Sequence, residues 1–70
     1  MVPQTQTPLK MLRRRQVEAR VGLGCSQIYQ LMQEGQFPRS VRLGARAVGW
    51  IESEIDGWLA ARIAASRAGV

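Results

Sequence analysis

The sequence predicts one mostly α-helical domain carrying a small β-hairpin, in the order helix, turn, helix, hairpin, helix. Three observations carry that expectation. Two short stretches with helical apolar spacing are separated only by Gly22, Leu23 and Gly24; the segment after Pro38 switches to alternation on either side of a glycine-containing tip; and residues 53–65 return to a helical stripe. A length of 70 residues suits one domain near the lower limit for folding alone and leaves no room for a second, catalytic one.

Taken in order, residues 1–8, with Pro3 and Pro8 among Gln and Thr, have little to bury and are expected to form a mobile arm. The ordered domain is expected over residues 9–66, with residues 67–70 fraying. Residues 14–21, "RRQVEARV", make a first helix of about two turns, with Val17 and Val21 one turn apart and Gly22 as the stop. The second helix is expected over residues 25–34. There Ile28, Leu31 and Met32 form the buried stripe, Ser26, Gln30 and Gln33 lie opposite, Gly24 takes the N-cap place and Gly35 supplies a left-handed stop. Two helices joined by so short a glycine-containing turn form a helix-turn-helix. Pro38 then keeps the chain from continuing as helix.

A hairpin is expected over residues 39–50. Val41 and Leu43 alternate with Ser40, Arg42 and Gly44, and Val48 and Trp50 alternate with Ala47 and Gly49, about a tip at Gly44, Ala45 and Arg46. This pattern places arginines on the outer face. The third helix is expected over residues 53–65, with Ser53 and Asp56 as a capping box, Glu54 and Asp56 at the positive end of the dipole, and Ile55, Trp58, Leu59 and Ile63 as one apolar stripe. Gly57 inside it costs about 1 kcal/mol relative to alanine, which suggests a close packing contact.

Ten Lys and Arg against five Asp and Glu give a formal charge of +5, and the pI is near 11.2, which favours nucleic acid or another anionic surface as partner. The charge is sorted along the chain. Lys10, Arg13, Arg14, Arg15 and Arg20 precede the second helix with only Glu18 among them, and Arg39, Arg42 and Arg46 follow it; the helix itself, residues 25–34, carries no lysine or arginine. The single cysteine, Cys25, and the lack of histidine argue against a metal site and an intramolecular disulfide. No apolar run approaches the roughly 20 residues of a membrane span, and the N-terminal residues lack the basic-then-apolar order of a signal peptide, so a cytoplasmic protein is expected. An enzyme is not expected either. The clustered acids Glu52, Glu54 and Asp56 sit at a helix start, no glycine-rich phosphate loop is present, and the chain is too short to enclose a pocket.

From residue 11 to residue 63 the chain resembles the AlpA-like prophage regulators, which are similar in fold to small phage excisionases and to the DNA-binding head of MerR-type regulators. The most specific stretches are "VGLGCSQIYQLMQEGQFP", residues 21–38, and "VGWIESEIDGW", residues 48–58. The resemblance implies a winged helix-turn-helix that binds specific double-stranded DNA, without cofactor or catalytic activity. It implies a transcription regulator, an excisionase (a recombination directionality factor), or both. Where the family pattern reads "GLSRSTIY", this chain has Gly24 and Cys25 in the places of a serine and an arginine, which removes a capping hydroxyl and a cationic contact; Arg14 stands where an apolar residue is usual.

On this reading the second helix enters the major groove and offers Ser26, Gln27 and Gln30 to base edges, with Gln33 further along. Glutamine carries a donor and an acceptor on one planar group, which suits adenine N6 and N7. Arg13, Arg14 and Arg15 before the helix and Arg39, Arg42 and Arg46 in the wing supply backbone contacts, with Arg46 also placed to enter a minor groove. Tyr29 is expected to pack its ring on the wing and turn its hydroxyl to a phosphate. Trp50 and Trp58 are read as core rather than as platforms for bases. The implied partners are duplex DNA, an integrase or recombinase, and further copies on adjacent sites, because one short recognition helix buries a small interface. The alternative from the charge alone is an adaptor module that meets an acidic protein.

Overall fold

A computed structural model of the chain describes residues 9–68. Within them the chain runs β1 (Met11–Leu12), α1 (Arg14–Val21), α2 (Cys25–Gln33), β2 (Val41–Gly44), β3 (Ala47–Ile51) and α3 (Glu52–Ala68). The fold is a winged helix-turn-helix: α1 and α2 form the helix pair, β2 and β3 the wing. The expected N-terminal arm lies outside the described residues, as do residues 69 and 70 of the tail.

Both helices of the pair begin in the same way. Arg13 and Gly24 occupy the N-cap positions in extended conformation, and neither side chain caps its helix. Instead the third residue of each helix reaches back: Gln16 Oε1 accepts the Arg13 N–H at 2.8 Å, and Gln27 Oε1 accepts the Gly24 N–H at 3.1 Å. This is the return half of a capping box without its hydroxyl half. The turn between the helices depends on Gly22, whose φ of 75° lies in the left-handed region and whose N–H bonds the Glu18 carbonyl at 2.8 Å. After α2 the Gly35 N–H bonds the Met32 carbonyl and the Gln36 N–H bonds that of Leu31, closing the helix.

The core is drawn evenly from the chain. Leu12 of β1, Val17 of α1, Ile28 of α2, Phe37 of the following loop, Trp50 of β3 and Ile55 of α3 are buried and form one cluster. Truncating such a residue to alanine costs about 2–5 kcal/mol, comparable to the whole stability of a domain this small. Strand β2 contributes none of them.

The sheet has the order β1-β3-β2, both pairs antiparallel, so the wing gains a third strand from the residues before α1. Met11 lies opposite Ile51 and Leu12 opposite Trp50. The ladder continues with the Glu52 N–H bonded to the Lys10 carbonyl at 2.9 Å, after which the chain turns directly into α3. That is why α3 begins at Glu52 and Ser53 lies exposed inside the first turn instead of capping it.

The expected sidedness of the wing is corrected on one strand. Val48 and Trp50 do face the core, but Val41 lies opposite Gly49 and Arg42 opposite Val48. Side chains directly opposite each other share a face of the sheet. Val41 therefore shares the outer face with Gly49, Ile51 and Met11, while Arg42 shares the inner face with Val48. An irregularity in register falls between Arg42 and Gly44, and Val41 and Leu43 are left 38% and 46% exposed.

Helix α3 is longer than expected and packs along only part of its length. Ile55 is buried and Trp58 and Leu59 are half-buried, but Ala60 to Ala68 are all exposed, including Ile63 at 48%. Ile63 thus lies outside the core that its spacing suggested. An added Cβ on Gly57 would meet nothing within 4 Å, so no close contact explains that glycine.

Candidate nucleic-acid interface

Three segments distant in sequence converge beside α2. Arg13, Arg14 and Arg15 at the start of α1, Tyr29 on α2, and Arg46 and Val48 on the wing line one open cleft of about 420 Å³. Leu12 and Val17 anchor the first segment, Ile28 the second and Trp50 the third, which brings Arg13, Arg14 and Arg15 of the first basic block and Arg46 of the second to one place. Arg42, opposite Val48, lies on the same face of the wing. Arg39 lies apart, on a second cleft bordered by Phe37, Pro38, Glu54 and Trp58.

Ion pairs divide the arginines. Arg14 Nε meets Glu18 Oε2 at 3.1 Å. Arg20 reaches across to α3, with Nη1 donating to Asp56 Oδ1 at 2.7 Å and Nη2 to Glu52 Oε2 at 3.0 Å. Those two carboxylates, Asp56 foremost, raise the Arg20 pKa above its ordinary value. Lys10 stands 4.0 Å from the same Glu52. Among the described residues Arg13, Arg15, Arg39, Arg42 and Arg46 make no ion pair with the protein's own acids. Glu52 and Asp56 tie Arg20 across the α1–α3 junction, and no acid lines the cleft.

Tyr29 forms the bridge between α2 and the wing. Its ring lies 6.4 Å from that of Trp50, tilted by 58°, and it remains 40% exposed at the cleft. Next to it, Ser26, Gln30 and Gln33 are exposed on the face opposite buried Ile28. Gln30 Nε2 donates to Glu34 Oε2 at 3.3 Å. Gln27, also exposed, lies on the other flank, where it borders an apolar groove of about 430 Å³ floored by Val21, Leu23, Leu31, Trp58 and Leu59. The candidate base readers therefore form a band across α2, with Tyr29 and the arginines on one side and Gln27 on the other.

The loop from α2 to the wing is pinned at three successive residues. Trp58 Nε1 donates to the Gln36 carbonyl at 2.7 Å, Phe37 is buried with its ring edge-on to Trp58 at 4.8 Å, and Trp50 Nε1 donates to the Pro38 carbonyl at 3.1 Å. Trp50 is wholly buried, whereas Trp58 is half-buried with the Arg62 guanidinium 4.8 Å over its ring. Both indoles are occupied in holding the loop. Sequence reasoning did not single out Gln16 or the indole–carbonyl bonds; a glutamine three residues after each N-cap was the legible trace of the first.

The model of the family described as prophage CP4-57 regulatory protein (AlpA) matches residues 10–63. The chain belongs to the AlpA family. It is similar to the uncharacterized protein ORF88 of Enterobacteria phage P4, 41% identical over 63 residues, which cover 90% of this chain and 72% of that one. It is also similar to the DNA-binding transcriptional activator AlpA of Escherichia coli K12, 33% identical over 63 residues, covering 81% of this chain and 90% of the relative. No solved structure matches the chain. Among the described residues no helix is long and apolar enough to cross a membrane, and no group of His, Cys, Asp and Glu is placed to hold a metal ion.

Proposed function

We propose that this AlpA-family chain is a sequence-specific double-stranded DNA-binding regulator of a prophage or related mobile element. Helix α2 enters the major groove and presents Ser26, Gln30 and Gln27 to base edges, while the wing lies along the backbone or an adjoining minor groove. The observation that carries this reading is the cleft joining Arg13, Arg14, Arg15, Tyr29 and Arg46 beside the exposed polar face of α2. A phosphate seated there would meet Arg13, Arg15 and Arg46, which make no ion pair with the protein's own acids, and phosphate contacts position a protein while base edges specify the site. The relative named as a DNA-binding transcriptional activator supports transcriptional regulation as the duty. Arg39 and Arg42 add backbone contacts from the base and inner face of the wing. Arg14 contributes less, because Glu18 already neutralises it.

The test is binding to a random duplex pool by gel shift, followed by selection and sequencing. Replacing Arg15 or Arg46 with alanine is expected to weaken binding to all duplexes and to lower the salt slope by about 0.9 each, with the thermal midpoint unchanged. If no duplex shifts at low salt, an adaptor that meets an acidic protein becomes the better account. Excision control is a further duty of the same surface, read out as excision of an element in the presence of its recombinase. One α2 buries a small interface, so copies are expected to bind adjacent sites cooperatively; a unit-slope isotherm on a selected multi-site duplex would count against that.

A further inference from the structure

We propose that the outer face of the three-stranded sheet is a self-contact: on DNA it meets the same face of a second copy of this chain across a two-fold axis, so that paired sites are inverted repeats. This rests on the proposed DNA reading and deepens it. An antiparallel sheet with one face on a core ordinarily turns polar side chains to water on the other. Here the outward positions are Met11, Val41, Leu43, Gly49 and Ile51, and none of them is polar. Leu43 belongs to that face because a Cβ on Gly49 would lie 2.9 Å from its Cδ1, with Met11 Cε at 3.4 Å. The glycine lets side chains from the two outer strands close over the middle one, and the apolar surface is continuous across all three. Val41 and Leu43 are exposed on it, and Met11 and Ile51 half-buried.

Charge selects the occupant. Each copy carries a formal +5, so two copies repel overall. None of the five outward positions is charged, whereas the inner face carries Arg42 and borders the cleft that Arg46 lines. The outer face can therefore meet its own copy, and a surface that meets itself does so about a two-fold axis. Sheets stack in this way about 10 Å apart. Because Val48 of the inner face lines the cleft, the outer face points away from it, and a phosphate in the cleft does not compete with a neighbour on the sheet. The face spans three short strands, on the order of 250 Å², against about 800 Å² per partner in a standard stable interface. Such a contact is too small to hold a dimer in solution and acts once DNA has brought two copies together.

The experiment is selection from a random duplex pool, then binding isotherms on the selected sites, with the wild type, Val41→Lys, Leu43→Lys and Ile63→Lys. A lysine on the face sets like charges against each other and leaves the arginines of the cleft in place. The wild type is expected to enrich inverted pairs of half-sites and to fill the second about tenfold or more tighter than the first. Val41→Lys and Leu43→Lys are expected to bind a single half-site no more weakly than the wild type, with unchanged thermal midpoints, and to lose that gain. Ile63, exposed on the far half of α3, is the control, and its variant is expected to keep it. Without DNA all four proteins are expected to sediment as monomers. Enrichment of direct repeats alone, a gain kept in both sheet variants, or a gain lost only in Ile63→Lys overturns the inference. Unit-slope binding by the wild type on every selected duplex also overturns it and leaves the face to an unlike protein. If the wild type enriches no sequence at all, the DNA reading itself fails, and that outcome is visible before any variant is compared.

Discussion

A Cβ added at Gly49 would lie 2.9 Å from Leu43 Cδ1 and 3.1 Å from the Leu12 carbonyl oxygen. The leucine tip can move, but the carbonyl belongs to the β1–β3 ladder and cannot move without breaking it. Gly49→Ala is therefore expected to destabilise the domain by about 1–3 kcal/mol, seen as a lower urea midpoint at unchanged slope. In the sequence Gly49 was only one of the small residues alternating with Val48 and Trp50. Its contact with β1 was not legible, since a two-residue strand is shorter than any window in which alternation can be counted. Gln27 illustrates a different limit. Its amide was read for what it offers DNA, while its bond to Gly24 depends on a helix start that the missing serine made look weak.

The elements differ in how plainly their sequences announce them. Helix α2 was legible because Ile28, Leu31 and Met32 share one face and glycines bound it; observed and expected limits agree to within a residue. In the wing the existence of both strands was legible but not the phase of β2. Val41 and Leu43 alternate as a core-facing pair would, yet pairing Val41 with Gly49 turns them outward, and nothing in β2 alone specifies that register. In α3 spacing alone could not show where the core ends, so Ile63 was counted with Ile55 though the helix has by then passed the rest of the molecule. Gly57 lies in this helix with ordinary negative φ and open space around it. Gly57→Ala is expected to stabilise the domain by about 1 kcal/mol, raising the thermal midpoint by about 4–8 °C in calorimetry without altering DNA selection.

For the molecule as a whole, the formal charge of +5 overstates neither sign but conceals their separation. Lys10, Arg14 and Arg20 are matched by Glu18, Glu52 and Asp56, which leaves Arg13, Arg15, Arg42 and Arg46 at or beside the cleft. Together with Arg39 these make five phosphate contacts, which predict a slope of log affinity against log salt of about −4 to −5 on a short duplex, far from the about −9 that contact by all ten cations would give. Titrating binding between low and physiological salt measures it, and a slope near zero would remove the cleft from consideration. The two basic blocks were legible from composition; which arginines the acids would claim was not, because Arg20 meets partners 32 and 36 residues away.

The three-point pinning of the loop at Gln36, Phe37 and Pro38 gives this small body the character of a two-pronged plug. With Trp50 and Trp58 each gripping a carbonyl of the connecting segment, α2 and the wing stand at a set gauge. The ordering that would otherwise be required at the moment of docking is already completed when the chain folds. Such a plug does not adapt to its socket. On the proposed DNA reading, a duplex whose groove and neighbouring backbone match the gauge would accept both prongs together, and one that does not match would itself have to bend, so that the two indoles would set the terms on which DNA shape enters recognition.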